Sequence, residues 1–227
     1  MAKNKDETIV DVVEVVSKTE RYIDENQKSL TIIISAIVIL IAMYFIYTKW
    51  YIAEEELNAQ REMYMAEIWF ERDSLDLAIY GDMQWPGFEE IVDEYSITPS
   101  GNLANYYLGI CYLRKGMFED AIESLSAFDS DDLMVSSVAT GAIGDAYMEL
   151  GEVKTAASFY MDAANDKEND FTSPIYLMKA AAAYEELENY KKALGIYENI
   201  KKNYADTKEG LEVEKYLERA KSIVNAK

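Results

Sequence analysis

Carboxylates are the reactive groups this sequence holds in quantity, and two clusters have spacing that could hold a cation. Asp129, Asp131 and Asp132 form one; Asp166, Glu168 and Asp170 form the other. A calcium loop needs oxygen ligands at positions one, three and five, glycine at six and glutamate at twelve. Position six is Met134 in the first cluster and Phe171 in the second, so both are expected to be helix-flanking loops. The chain has no histidine, which removes the commonest general base and metal ligand. Its one cysteine, Cys111, lies in an apolar helical pattern (LGICYL) and is expected to be a buried thiol rather than a nucleophile. No phosphate-binding glycine loop, Gly-X-Ser-X-Gly elbow or HExxH pattern occurs. The sequence therefore points away from an enzyme. It assigns no catalytic residue, cofactor or metal, and leaves protein binding as the work of the polar side chains.

The elements that position those side chains begin with an uncharged run, Leu30–Tyr47, which reads LTIIISAIVILIAMYFIY. As a helix it would be about 27 Å long, close to the hydrocarbon thickness of a bilayer. Lys49, Trp50 and Tyr51 follow it, a snorkelling cation beside amphipathic rings. The run is longer than a signal-peptide core and is closed by bulky residues, so a retained single-span anchor is expected. Upstream, residues 9–23 place Ile9, Val12, Val13 and Val16 as an amphipathic helix would, though the valines also suit a strand or a solvated lead-in. Lys18, Arg21 and Lys28 precede the run, against Lys49 and Arg61 after it, a small bias towards a cytoplasmic N-terminus.

Net charge is −20. Residues 53–227 hold 16 Lys+Arg and 35 Asp+Glu, so the C-terminal part carries nearly all of it. Such a surface repels phosphate backbones, and nucleic acid is not an expected partner. From Ala53 the pattern is helical, with Leu57, Tyr64, Ile68, Leu75 and Ile79 on one face until Gly81 and Trp85–Pro86–Gly87 break it. A short helix (PGFEEIVDEY) follows.

Three repeats come next. Gly109, Gly144 and Ala181 share one position; Tyr112, Tyr147 and Tyr184 another, three residues on. Ala121, Ala156 and Ala193 follow nine residues later, then Leu125, Tyr160 and Tyr197 four after that. The period is 35 and then 37 residues. A small residue on the first helix of a pair lets the second approach, and the aromatic one turn on is expected to fill the gap. Gly116 and Gly151 mark the turns between helices. Glu188 replaces glycine in the third repeat, which predicts a different turn there.

These positions resemble the tetratricopeptide repeat (TPR) family. A final segment, Thr207–Asn225, with Leu211, Tyr216, Leu217 and Ile223 among charges, is similar to a solenoid's capping helix. The layout of a short acidic segment containing TERYIDENQKSL, one span, repeats and a cap is similar to the YfgM-like family of ancillary subunits of the SecYEG translocon. The expected fold is all-α: residues 1–29 an acidic, cytoplasmic N-terminal segment, 30–52 a transmembrane helix with its anchor, 53–101 a stalk and degenerate first hairpin, 102–206 three TPR repeats and 207–227 a cap, about four hairpins in all. The resemblance implies an inner-membrane, single-pass protein with its repeats in the periplasm. Its implied partners are translocon subunits, periplasmic chaperones or clients. The alternatives are a tethered adaptor for envelope assembly or cell division, and a cytosol-facing scaffold.

The family's register implies a concave groove built from the first helix of each repeat. It places Leu103, Tyr106, Ile110, Leu113 and Arg114 there, then Val138, Gly141, Asp145, Met148 and Glu149, then Ile175, Met178, Ala182, Glu185 and Glu186. Arg114 is the only base in this set, so the clamp by which some TPR proteins grip a carboxylate terminus is missing. An apolar and acidic groove suits an amphipathic or basic segment, and methionines adapt to varied ones.

Overall fold

The computed structural model describes the backbone of Lys3–Ala226 and the side chains of Tyr22 and residues 24–226. The chain divides into two compact units, Met1–Glu54 and Glu55–Lys227.

The first unit is helical. Helix α1 runs Lys3–Ile46 and passes into a π-helical turn, Tyr47–Tyr51, after which α2 (Ile52–Glu71) begins. The backbone of residues 9–23 lies within α1; side chains there, Tyr22 excepted, lie outside the described residues. The apolar side chains from Ile32 to Ile46 are exposed, and among the described residues this is the one helix long and apolar enough to cross a membrane. In the π turn Thr48 Oγ1 donates to the Tyr44 carbonyl at 3.0 Å, and the Tyr47 and Tyr51 rings stack 5.5 Å apart.

The second unit is a series of helix pairs. After α2 come α3 (Leu75–Tyr80), α4 (Phe88–Glu94), α5 (Pro99–Lys115), α6 (Phe118–Ala127), α7 (Leu133–Glu149) and α8 (Val153–Asn165). Then follow α9 (Ser173–Glu186), α10 (Tyr190–Asn203), α11 (Lys208–Glu212) and α12 (Glu214–Ala226). The pairs α5–α6, α7–α8 and α9–α10 carry the three repeats read from the sequence. Proline opens α5, and Thr98, capping it, accepts a hydrogen bond from the Gly101 N–H at 2.9 Å.

The small residues act as expected, but a different side chain fills the space. A Cβ on Gly109 would lie 2.5 Å from Leu125 Cγ, and one on Gly144 would lie 2.7 Å from Tyr160 Cε1. The knob therefore comes from the second helix of each pair. The tyrosines one turn on have other work. Tyr112 donates its hydroxyl to Glu89 of α4, Tyr147 stacks on Phe159 at 5.2 Å, and Lys192 sits over the Tyr184 ring.

The turn in the third repeat corrects the expectation that it would differ. Gly116 and Gly151 have φ of 77° and 76°, and Glu188 adopts φ of 54°. The hydrogen bonds match. Gly116, Gly151 and Glu188 donate to the carbonyls of Leu113, Met148 and Glu185, and the next residues, Met117, Glu152 and Asn189, donate to those of Tyr112, Tyr147 and Tyr184. Closing the last turn satisfies helix-end carbonyls, and that gain holds a glutamate in the left-handed region.

The same turn occurs once more, where the sequence showed none. Asp73 has φ of 59°; its N–H donates to Phe70 and that of Ser74 to Trp69. The helix from Ala53 thus stops at Glu71 instead of running to Gly81. In this register Ala66, Trp69 and Ala78 stand where Gly109, Tyr112 and Ala121 stand in the next pair, and all three are buried. The first hairpin is a repeat with tryptophan for tyrosine. Its second helix is divided into α3 and α4 because the Gly81–Gly87 segment folds on itself, with a Gly81 Cβ only 2.4 Å from the Trp85 carbonyl. The expected stripe on α2 is corrected too: Leu57 and Tyr64 are exposed, and Ala59, Met63, Ala66 and Trp69 are buried.

The core is three apolar clusters in succession. One joins α2–α4 to α5, one joins α5 and α6 to α7, and the largest runs from α8 to the C-terminal helix. Val213, Leu217 and Ala220 bury the inner side of the cap, and Tyr216 stacks on Tyr197 at 5.8 Å.

Candidate protein-binding groove

Ten of the fifteen residues assigned to the groove are half-buried or buried, and five are exposed. Tyr106, Ile110 and Leu113 of α5 pack on Ala139, Ala142 and Ile143 of α7 and are half-buried between repeats. Leu103 packs on the first cluster, and Met148 and Met178 on the last. Gly141 is buried beneath the Tyr176 ring, whose Cε1 lies 2.0 Å from where its Cβ would be. Val138 is half-buried; Ile175, Ala182, Glu149 and Glu186 are exposed.

Three of the five charged members, Asp145, Glu185 and Arg114, are paired with side chains of other helices or turns. Lys179 Nζ donates to Asp145 Oδ1 at 2.7 Å and Oδ2 at 2.8 Å, and the Tyr160 hydroxyl donates to Oδ1 at 2.7 Å. Lys179 also lies 5.5 and 5.7 Å from the Tyr160 and Tyr176 rings. Burial, then the Asp145 carboxylate, push the Tyr160 hydroxyl well above its ordinary range, so it stays a donor. Glu185 pairs with Arg219 of α12, and its Oε1 is buried without a hydrogen bond among the described residues. Arg114 pairs with Asp73 at 2.5 Å and lies 5.7 Å from the Phe70 ring.

One open space remains among these residues. A cavity of about 590 Å³ is lined by Leu113, Arg114, Gly116, Phe118, Asp145, Met148, Glu149 and Tyr160. Five of these come from the expected set, gathered from α5 and α7. Ile175, Met178, Glu185 and Glu186 of α9 lie outside it. Sequence reasoning missed Lys179, Tyr160, Tyr176, Asp73 and Arg219. Each belongs to a neighbouring helix or repeat, and the aligned Tyr160–Tyr197 position was the one available signal.

The clusters that suggested chemistry serve the loops. Asp132 caps α7 by accepting from the Met134 and Val135 N–H groups at 2.8 and 2.9 Å, and Glu168 accepts from the Tyr204 hydroxyl at 2.7 Å. No group of three metal-binding side chains gathers among the described residues. Cys111 is buried, and burial pushes its thiol up to about 12, so it is protonated at neutral pH.

Residues 103–130 and 176–207 match the tetratricopeptide repeat family. No curated protein matches the chain. A crystal structure of nearly identical TPR-like repeats from Podosopora anserina is similar, at 15% identity and a TM-score of 0.54, over 75% of this chain and 88% of that one. Helix pairs, a shared left-handed turn and small-residue approaches, together with these matches, make this an all-α, TPR-like repeat protein with a long apolar helix near its N-terminus.

Proposed function

We propose that the protein is a membrane-tethered scaffold whose groove takes a segment of another protein. The observation that carries this reading is the cavity between α5 and α7, where Arg114, Met148 and Glu149 surround an open apolar and charged space. Its walls suit an amphipathic segment that presents a cation to Glu149 and an apolar side chain to Met148 and Leu113. The uncharged run would hold the groove at a membrane and raise its effective concentration for partners there. The domain limits proposed with this reading are a span over residues 30–52, a first hairpin to residue 101, three repeats over 102–206 and a cap.

The finer reading is an ancillary subunit of the Sec translocon, N-terminus in the cytoplasm and repeats in the periplasm, linking the channel to chaperones or clients. It rests on the layout of segment, span, repeats and cap. Copurification with the translocon after mild detergent extraction tests it; recovery of unrelated partners alone refutes it. Protease accessibility of the repeats in intact spheroplasts tests the orientation. For the groove itself, Met148→Ser with Glu149→Lys should abolish partner recovery from membranes. Unchanged recovery would sink the groove reading. Asp145 is a poor probe, because a lysine there would face Lys179.

A further inference from the structure

The loops that join one helix pair to the next lie side by side along one edge of the repeat unit. A chain of hydrogen bonds links them. Glu56, at the start of α2, accepts from the Ser100 N–H and hydroxyl, each at 2.8 Å. Asn102 and Asp129 exchange two hydrogen bonds, at 2.7 and 2.9 Å. Lys167 donates to the Ser130 carbonyl at 2.7 Å, and Tyr204 to Glu168. The row therefore runs without a gap from residue 56 to residue 204.

In each of the first three loops, or at the helix start that follows it, a large apolar side chain is exposed. Ile97 is 48% exposed, Leu133 and Met134 are 55% and 45% exposed, and Phe171 is 63% exposed. Single exposed apolar residues are ordinary, but here one stands at or next to each of three successive loops, with Met134 and Phe171 at the same repeat position. Carboxylates stand among them: Asp129, Asp131, Asp166 and Asp170 are all exposed. The one cation within these loops, Lys167, is turned onto Ser130. The fourth loop, flanked by Lys202 and Lys208, lies outside the acidic stretch.

We propose that this edge is a second docking surface, distinct from the groove, and that its occupant is a basic amphipathic protein segment. Alternating apolar and anionic side chains match a stretch in which lysine or arginine interleaves with leucine-like residues. Charge decides against the other apolar occupant, a lipid surface, because anionic headgroups would be repelled by this row.

The test uses the full-length protein in nanodiscs of zwitterionic lipid, titrated with a fluorescent amphipathic Lys/Leu peptide of about 18 residues. Leu133→Ser with Phe171→Ser, and separately Asp131→Lys with Asp170→Lys, should each weaken binding by about tenfold or more. A charge-matched pair outside both the edge and the groove, Glu198→Lys with Glu212→Lys, should leave affinity within about twofold. A photocrosslinking residue in place of Met134 should capture the peptide. Edge variants that bind like the parent, or a crosslink that captures lipid in preference to the peptide, would overturn the proposal. A failed groove would leave these results unmoved.

Discussion

One methyl group separates Gly144 from any other residue the α7–α8 contact could accept. The Tyr160 ring occupies the space a Cβ would need, and the tyrosine is held by Asp145, itself held by Lys179. Gly144→Ala must move a ring that is buried and anchored. It is expected to cost about 1–3 kcal/mol by overpacking, seen as a lower denaturation midpoint at an unchanged slope. The α7 groove side chain Asp145 then loses its tyrosine donor, so partner binding should weaken in the same variant. Lys179 and Tyr160 show why the groove is less acidic than its sequence: the anionic charge is spent within the fold.

At the scale of the helix and its turns, the clearest test is Glu188. It holds a left-handed conformation that costs a residue with a Cβ about 1–2 kcal/mol, partly offset by the chain entropy a glycine would lose. Glu188→Gly is therefore expected to stabilise the α9–α10 hairpin by about 0.5–1 kcal/mol, read from thermal unfolding. A drop in stability would show that the glutamate side chain contributes something the turn alone does not. The junction of α2 with α5 responds to acid. Burial would raise the Glu56 carboxyl, but hydrogen bonds from the Ser100 N–H, Gln60, the Ser100 hydroxyl and Thr98 outweigh it and hold it below its ordinary value. Its contribution is thus fully present above the ordinary carboxylate value and is lost as pH falls through the depressed one. Glu56→Gln should remove that part of the acid dependence. Because the group is half-buried and its partners are neutral, the loss at neutral pH should stay near or below about 1 kcal/mol. A pH profile of unfolding free energy that is the same with and without Glu56 would refute the clasp.

For the whole molecule the relevant contrast is between an uncharged run, Leu30–Tyr47, and a repeat unit that carries nearly all of a net charge of −20. The exposed apolar side chains of α1, Val38 and Ile41 among them, are not covered by other described residues. The proposed membrane span accounts for them, and a single central arginine costs about 2.5–3.5 kcal/mol in a helix that crosses a bilayer. Val38→Arg with Ile41→Arg should therefore move the protein from the carbonate-resistant membrane fraction to the soluble one. Retention in the pellet would mean that something other than this helix holds the protein at the membrane. The repeat unit is quasi-one-dimensional, each pair touching its neighbours, so damage at one interface should loosen the adjacent pair before the far end.

The repeats were legible because their signal is local: a small residue, a tyrosine and an alanine at set distances on two amphipathic helices. The apolar run was legible for the same reason, since composition over one stretch decides whether a helix can enter lipid. Three things were decided only by the tertiary structure. The first hairpin is a repeat because Ala66 and Trp69 fill the places of glycine and tyrosine, a substitution that packing accepts and a residue pattern hides. The Glu188 turn keeps its form because backbone hydrogen bonds at a helix end outweigh the strain of one residue. The open or paired state of each groove charge depends on which side chain of the next repeat lies opposite, and that is set by how helix pairs stack. Asp145 and Lys179 are 34 residues apart in the chain and 2.7 Å apart in space. Nothing in their local sequence records the meeting, because the ridge-and-groove fit between helices brings them together.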